Sequence, residues 1–153
     1  MFEVLIKSFS YLGFFLVGLI SSSTIIFPLP IYALVSVAPL FGYNPFLVAF
    51  FTSLGMTLGE LTGYFVGYGS YKLLEKKIRK VKEYKKYKKY VEKYGDVVIF
   101  LFSLLPLPFD IVGIICGSVK YDIKRFLFFT FLGKFLKILA IIYGIYSIQH
   151  VFF

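Results

Sequence analysis

The chain has 153 residues, a formal net charge of +9 and one cysteine, Cys116. Hydrophobic residues make up 59% of it and charged residues only 16%, whereas about 25% is usual in soluble domains. A soluble fold of this size could not cover so much apolar surface, so the composition predicts a single integral membrane domain over residues 1–153. The lone cysteine excludes an internal disulfide, and with one histidine, His150, a Cys/His metal site is not expected.

The first apolar stretch, residues 4–41, is interrupted by Pro28-Leu29-Pro30. Proline removes a backbone donor and breaks helices, so we expect a break here rather than one straight crossing. An uncharged turn follows at 42–45. Residues 46–71 are then predicted to form one long apolar helix, sufficient to cross about 30 Å of hydrocarbon. The sequence leaves open whether residues 1–17 cross the membrane or lie at its interface.

The segment at residues 72–95 is strongly basic and holds 11 of the 17 lysines and arginines. Loop lysines and arginines concentrate on the cytoplasmic side, so this segment is predicted to be cytoplasmic. Its apolar residues recur every three or four positions, which predicts an amphipathic helix on the inner leaflet. Lysines on such a surface attract anionic headgroups. We expect membrane lipids as partners and no nucleic acid.

A second apolar stretch, residues 97–119, is interrupted by Pro106 and Pro108. A short basic turn, Lys120 to Arg125, follows it, and residues 126–149 are predicted to form another spanning helix. A shift of 78 residues superimposes the two proline pairs and makes 12 of 41 positions identical, 28–68 against 106–146. The chain is therefore interpreted as an internal duplication.

Charge favours a re-entrant hairpin over a kinked crossing for each broken stretch, although the kinked crossing stays open. If residues 97–119 turn back at their prolines, the basic segment and the basic turn share the cytoplasmic side. One spanning helix separates the two hairpins, so they would enter from opposite faces as an inverted repeat. The expected fold is all-α: an N-terminal hairpin and helix over 1–71, the amphipathic helix over 72–95, and a C-terminal hairpin and helix over 96–153. The expected hairpin tips are Pro28, Pro30, Pro106 and Pro108.

Four charged residues outside the basic segment lie within the predicted membrane depth: Glu60, Asp110, Lys134 and Lys137. Such residues are costly in hydrocarbon and become candidate transport and substrate-binding groups. We expect Glu60 to contact one of the lysines. The alternatives are a static or protonated carboxyl at Glu60, a helix-start carboxylate at Asp110, and a Lys134 that extends to the membrane surface.

Glycines at intervals of four residues form a flat ridge beside Glu60 and predict close approach by a neighbouring helix. They are Gly55, Gly59, Gly63 and Gly67. The sequence contains no Ser/His/Asp set, no phosphate-binding glycine loop and no helical His pair. We therefore expect no enzyme activity, no catalytic residue, no cofactor and no metal site.

Several motifs together resemble the DedA superfamily, whose domain is also called VTT or SNARE-associated, and its YqaA-like branch in particular. They lie within residues 20–146 and are Ser23 to Pro30, Gly55-x-x-x-Gly59-Glu60-x-x-Gly63-Tyr64-x-x-Gly67, Tyr94-Gly95-Asp96, Leu105 to Asp110, Gly117 and Gly133-Lys134-x-x-Lys137. The resemblance implies two opposed re-entrant hairpins in the cell membrane. It also implies transport of phospholipids or polyprenyl phosphates between leaflets, with protons or sodium as candidate coupling ions.

The chain departs from this family at two kinds of position. Ser23 and Tyr32 stand where relatives often carry an acidic residue, which weakens the case for ion coupling more than the case for the fold. Lys134 and Lys137 stand where many relatives have arginines. The alternative functions are a small-solute or ion transporter on the same scaffold and a membrane scaffold that transports nothing. The sequence gives no oligomeric state.

Overall fold

The computed structural model describes residues 2–23, 30–78, 82–105 and 109–152, with side chains described at 9–23, 30–73, 85–86, 88–105 and 109–152. Three of the four predicted tip prolines, Pro28, Pro106 and Pro108, lie outside the described residues. The described part of the chain consists of helices joined by short turns. Its elements are α1 (Phe2–Ser23), α2 (Ile31–Val37), the 3-10 helix η1 (Ala38–Phe41), α3 (Pro45–Gly59), α4 (Leu61–Ile78), α5 (Lys82–Leu104), α6 (Phe109–Ser118) and α7 (Ile123–Phe152).

The predicted all-α membrane class agrees with two stretches that are long and apolar enough to cross a membrane. They are Pro45–Leu73, which comprises α3 and most of α4, and Ile123–Phe152, which is α7. At 1.5 Å per residue, each exceeds the roughly 30 Å thickness of the hydrocarbon core. Shorter apolar helices stand before and after the first proline pair and after the second.

The helices form two compact units, each with its own core. Unit 1 comprises Met1–Gly59 and Lys134–Phe153, and unit 2 comprises Glu60–Gly133. In unit 1 the core includes Phe14, Val35, Val48 and Ile138. In unit 2 the core is built around Ile99 and Phe126, both fully buried, together with residues of α4 and α6.

In unit 1, helices α1 and α3 run side by side in the same direction. Near the start of α3, the N–H of Asn44 donates to the Tyr11 hydroxyl at 3.0 Å. At the far end of α3, a Cβ atom on Gly59 would lie 2.6 Å from the Leu19 carbonyl oxygen. Helices α2 and η1 then bring the chain back to Tyr43, whose ring contacts that of Tyr11. Along α1 the chain thus runs beside α3 from the start of α3 to its end. Along α2 and η1 it then returns to the start of α3.

Unit 2 repeats this path with α5, α6 and the first part of α7. The Tyr121 hydroxyl, just before α7, donates to Asp96 of α5. Further along, the Ser103 hydroxyl near the end of α5 lies 3.4 Å from the Phe129 carbonyl oxygen of α7. Helix α6 then returns the chain to Tyr121, whose N–H donates to the Cys116 carbonyl oxygen at 2.9 Å.

The turns that follow η1 and α6 have the same geometry at positions 78 residues apart. Gly42 and Lys120 adopt left-handed backbone conformations, with φ of 80° and 57°. In both turns this residue donates its N–H to the carbonyl three residues earlier, and the next N–H bonds the carbonyl five residues earlier. The side chains of Asn44 and Asp122 then cap α3 and α7, each accepting from two backbone N–H groups. The duplication found in the sequence therefore extends to hydrogen bonding.

Two boundaries differ from the sequence prediction. The helix predicted over 46–71 is interrupted at Glu60, which separates α3 from α4. Glycine favours helix least of the residues other than proline, and the glycine ridge lowers helix propensity at this point. The amphipathic helix predicted over 72–95 is not a separate element, since α4 continues to Ile78 and α5 runs from Lys82 into the apolar stretch as far as Leu104.

Candidate functional site

Lys134 is the most deeply buried basic side chain among the described residues, with 3% of its surface exposed. It lies on α7, and its ammonium group is 3.5 Å from the hydroxyl oxygen of Ser22, which is itself buried at the end of α1. Burying a charge is costly unless polar groups surround it. Lys134 of α7 and Ser22 at the end of α1 therefore form a small polar site inside unit 1.

Lys137 stands one turn further along α7 and contacts the other arm of the same broken stretch. Its ammonium group is 3.2 Å from the Tyr32 hydroxyl on α2 and 5.4 Å from the centre of the Tyr32 ring. Residues three apart share one face of a helix, so the two lysines lie next to each other. Lys134 thus reaches the end of α1, and Lys137 reaches the beginning of α2.

The described polar contacts of the two lysines in unit 1 are with hydroxyl groups, those of Ser22 and Tyr32. The Ser23 hydroxyl, next to Ser22 in the chain, donates to the Leu19 carbonyl at 2.6 Å. Pro30 stands directly before α2, so its missing N–H costs the helix no hydrogen bond. Two positive charges beside hydroxyl groups are suited to binding an anion.

In unit 2 the two candidate carboxylates lie at adjoining helix ends. Glu60 is 4% exposed and directly precedes α4, while Asp110 stands in the first turn of α6. The beginnings of these helices touch, because a Cβ atom on Gly63 would lie 3.5 Å from the Asp110 carbonyl oxygen, and one on Gly113 would lie 3.6 Å from that of Glu60. Helix N-termini carry partial positive charge, which stabilises the carboxylate of Asp110 in the first turn of α6.

The glycine ridge serves a different partner in each unit. Gly55 and Gly59 pack on the backbone of α1 in unit 1, whereas Gly63 and Gly67 pack on the backbone of α6 in unit 2. A Cβ atom would overlap the neighbouring backbone at Gly55, Gly59 and Gly67, whereas at Gly63 it would make an ordinary contact.

The family model for the VTT domain matches residues 27–147, which includes both proline pairs, the whole second broken stretch and most of α7. The chain belongs to the VTT domain family. This confirms the resemblance to the DedA or SNARE-associated family that the motifs indicated. An uncharacterized protein of Methanocaldococcus jannaschii is 26% identical over 133 residues, which cover 87% of this chain and 82% of that protein. No solved structure gives a significant match.

Within this VTT domain, each pair of predicted site residues lies in a different unit. Lys134 and Lys137 come together in unit 1, and Glu60 and Asp110 lie at neighbouring helix starts in unit 2. The expected contact between Glu60 and one of the lysines stays a prediction. Tyr32 was noted in the sequence only as a departure from the family, at a position where relatives often carry an acidic residue, and not as a lysine partner. Ser22 was one of a run of hydroxyl residues before the first proline pair.

A second polar cluster of the VTT domain was not predicted. Asp96 on α5 accepts a hydrogen bond from the Tyr121 hydroxyl and forms an ion pair with Arg125 on α7. The Tyr64 hydroxyl of α4 donates to the backbone carbonyl of Tyr121. This cluster joins the beginning of α7 to α4 and α5 and so fixes the basic turn of unit 2.

Proposed function

We propose that this VTT domain protein moves phospholipids or polyprenyl phosphates between the leaflets of the cell membrane, and that it is not an enzyme. The two broken stretches would be re-entrant hairpins that enter from opposite faces as an inverted repeat. Residues 72–95 would lie in the cytoplasm. Lys134 and Lys137 would bind the anionic headgroup, and Glu60 and Asp110 would take up protons or sodium ions.

The path of the chain supports re-entrant hairpins. In each unit the first arm passes beside the turn, at Tyr11 in unit 1 and at Asp96 in unit 2. It continues for about half the length of a spanning helix, and the second arm returns to the same turn. Helix α6 has 10 residues and is therefore about 15 Å long, half the thickness of the hydrocarbon core. Broken backbone at that depth is tolerated only where it is buried in protein or lines a watery cavity.

Charge supports entry from opposite faces. The turn of unit 1 carries no charge, whereas the turn of unit 2 contains Lys120, Lys124 and Arg125. The ammonium group of Lys120 is 4.5 Å from the ring centre of Tyr71, directly beside the basic segment of the sequence. By the positive-inside rule, the turn of unit 2 and the basic segment belong in the cytoplasm and the turn of unit 1 belongs outside.

The observation that carries the proposal is the pair of lysines that reaches both arms of the first hairpin. Lys134 is buried beside Ser22, and Lys137, one turn later, is half-exposed. The two ammonium groups therefore mark a path from the protein interior towards its surface. A phosphate group could exchange between such positions while its acyl chains stay in lipid. Hydrogen bonds to charged groups contribute about 1.5–3 kcal/mol, so loss of either lysine should slow headgroup transfer about tenfold or more.

Exchange of a fluorescent phosphatidylglycerol in reconstituted vesicles tests the proposal, with an impermeant reductant that bleaches only the outer leaflet. We expect Lys134→Gln and Lys137→Gln each to slow exchange at least tenfold. The matched control is Lys124→Gln, an exposed lysine on the same helix, which should leave the rate unchanged. Wild-type rates in both site variants would overturn the headgroup role.

The alternatives give different results in the same vesicles. A small-solute or ion transporter would exchange no labelled lipid but would take up solute when a pH or sodium gradient is imposed. A scaffold would do neither, and Glu60→Gln and Asp110→Asn would keep full activity in cells. Lipid exchange that requires a proton or sodium gradient and is lost in these two variants would support the coupling role of the carboxylates.

A further inference from the structure

Each unit contains an apolar groove between the helices on either side of its proline pair. In unit 1 the groove lies between α1 and α2 with η1, and its volume is about 280 Å³. In unit 2 it lies between α5 and α6, and its volume is about 530 Å³. Three wall residues of each groove correspond under the 78-residue shift, Leu34, Val37 and Ala38 in unit 1 and Val112, Ile115 and Cys116 in unit 2.

The two grooves differ in the charge beside them. The unit 2 groove ends at Tyr90 and Tyr94, whose stacked rings are 6.3 Å apart. The same two tyrosines, together with Lys86, Lys89 and Lys93, line a second, open cavity of about 420 Å³ on the surface of α5 alone. The described residues that line the unit 1 groove include no charged side chain. Among the described side chains, a basic surface therefore adjoins the unit 2 groove and not the unit 1 groove.

We propose that the unit 2 groove holds one anionic phospholipid, with its headgroup on the lysines and an acyl chain between α5 and α6. Tyrosines favour the level of the headgroups, which places Tyr90 and Tyr94 at the boundary between the two parts of the lipid. From Tyr90 to Ile99, α5 lines the groove over about 13 Å, which suits an extended hydrocarbon chain.

The groove is open along one side, as a lipid-binding groove in a membrane must be. Val98 and Ile115 on its walls are 40% and 43% exposed, while Ile99 at its base is fully buried. The lipid would be retained rather than transported, since the site shares no residue with the proposed transport groups. This inference therefore goes beyond the proposed function and does not depend on it.

Native mass spectrometry of the purified full chain in detergent tests the site with dioleoyl phosphatidylglycerol and dioleoyl phosphatidylcholine. We expect one phosphatidylglycerol to bind and phosphatidylcholine to bind at least tenfold more weakly. The double variant Lys89→Gln/Lys93→Gln should bind phosphatidylglycerol about thirtyfold more weakly, which corresponds to about 1 kcal/mol for each lysine. The matched control is Lys85→Gln/Lys88→Gln, which removes equal charge from α5 outside the cavity and should bind as the wild type does.

A second pair of variants tests the acyl-chain part of the site without changing charge. Ile115→Trp fills the unit 2 groove and should reduce phosphatidylglycerol binding at least tenfold. Val37→Trp makes the corresponding change in the unit 1 groove, where the wild-type side chain is equally exposed at 41%, and should leave binding unchanged. Far-ultraviolet circular dichroism, which measures helix content, and gel filtration establish that all variants fold.

Four results would overturn the proposal. Equal binding of the two lipids would show that the lysines do not bind the headgroup. Equal loss of binding in both lysine double variants would show only a general attraction between the charge of α5 and the lipid. Retained binding in folded Ile115→Trp would show that the chain does not enter the groove. A dimer that is unaffected by lipid but is lost in Ile115→Trp would mean that a second copy of the protein occupies the groove.

Discussion

Asp96 connects α5 to the start of α7 through two hydrogen-bonded partners of different exposure. Tyr121 is 5% exposed as a residue, whereas the Arg125 side chain is 52% exposed. Exposed ion pairs contribute little because water already solvates both charges. The larger part of the stabilisation by Asp96 should therefore come from the Tyr121 hydroxyl.

The two partners of Asp96 make different predictions for mutants. Asp96→Ala leaves the Tyr121 hydroxyl without its acceptor, and we expect a loss of about 2 kcal/mol in the free energy of unfolding. Arg125→Ala removes only the exposed partner and should cost less than about 1 kcal/mol. Denaturation in detergent, followed by tyrosine fluorescence, measures both. Equal losses, or a larger loss in Arg125→Ala, would contradict this assignment.

At the residue scale, the sequence predicted the charges but not their partners. Lys134 and Lys137 were recognisable because charges are rare within apolar helices, and the structure places them side by side. Their contacts with Ser22 and Tyr32 span more than one hundred positions of the chain, as the numbering shows. No local pattern encodes such a pair, because it depends on where the chain turns back.

At the scale of helices, the glycines let the backbone of α1 approach α3 in unit 1 and the backbone of α6 approach α4 in unit 2. A Cβ atom on Gly67 would lie 2.8 Å from the Ile114 carbonyl carbon, a distance that backbone atoms cannot relieve by a rotamer change. Two residues away, Gly69 has nothing within 4 Å of the corresponding position. The two glycines therefore offer a matched comparison within α4.

Gly67→Ala should destabilise the protein by about 1–3 kcal/mol, because overpacking forces α4 and α6 apart. Gly69→Ala should be neutral or stabilising by up to about 1 kcal/mol, since alanine favours the helix. The apparent melting temperature in detergent measures both changes. If both variants melted at the same temperature, the close approach of α4 and α6 would not be a source of stability.

Most helices could be predicted from apolar runs and prolines, but two boundaries could not. The interruption at Glu60 falls inside a continuous apolar run, and glycines alone do not determine where a helix stops. Near Tyr94 the sequence changes from basic to apolar, which predicted that the basic segment and residues 97–105 would be separate elements. Helix α5 nevertheless continues through that change to Leu104, because the backbone hydrogen bonds of a helix do not depend on the polarity of its side chains.

At the scale of the whole molecule, the duplication was the most informative sequence signal. A single shift relates the turns, the helix caps and the groove walls. The repeat could be predicted because it preserved the prolines and turn residues, which are tied to backbone geometry. The grooves could not, since their shape depends on packing between the helices on either side of each proline pair.

Labelling of single cysteines in a Cys116→Ala background tests the opposed arrangement. Tyr121 is too buried to report its side of the membrane, so exposed neighbours are better positions: Phe41→Cys, at 72% exposure, and Lys124→Cys. An impermeant maleimide applied to intact cells should label the first and should reach the second only after permeabilisation. Labelling of both from outside would contradict the opposed hairpins and favour kinked crossings.

The shared geometry of the two turns has a consequence for how such a protein could have arisen. The left-handed position holds glycine in one copy and lysine in the other, and the capping position holds asparagine in one and aspartate in the other. The two turns thus share one backbone geometry, although the charges of their side chains differ. A single ancestral segment that inserted in either orientation would have needed no new loop after gene duplication. If the two halves are opposed as proposed, a few cationic substitutions in one copy would have sufficed to give each half its own orientation.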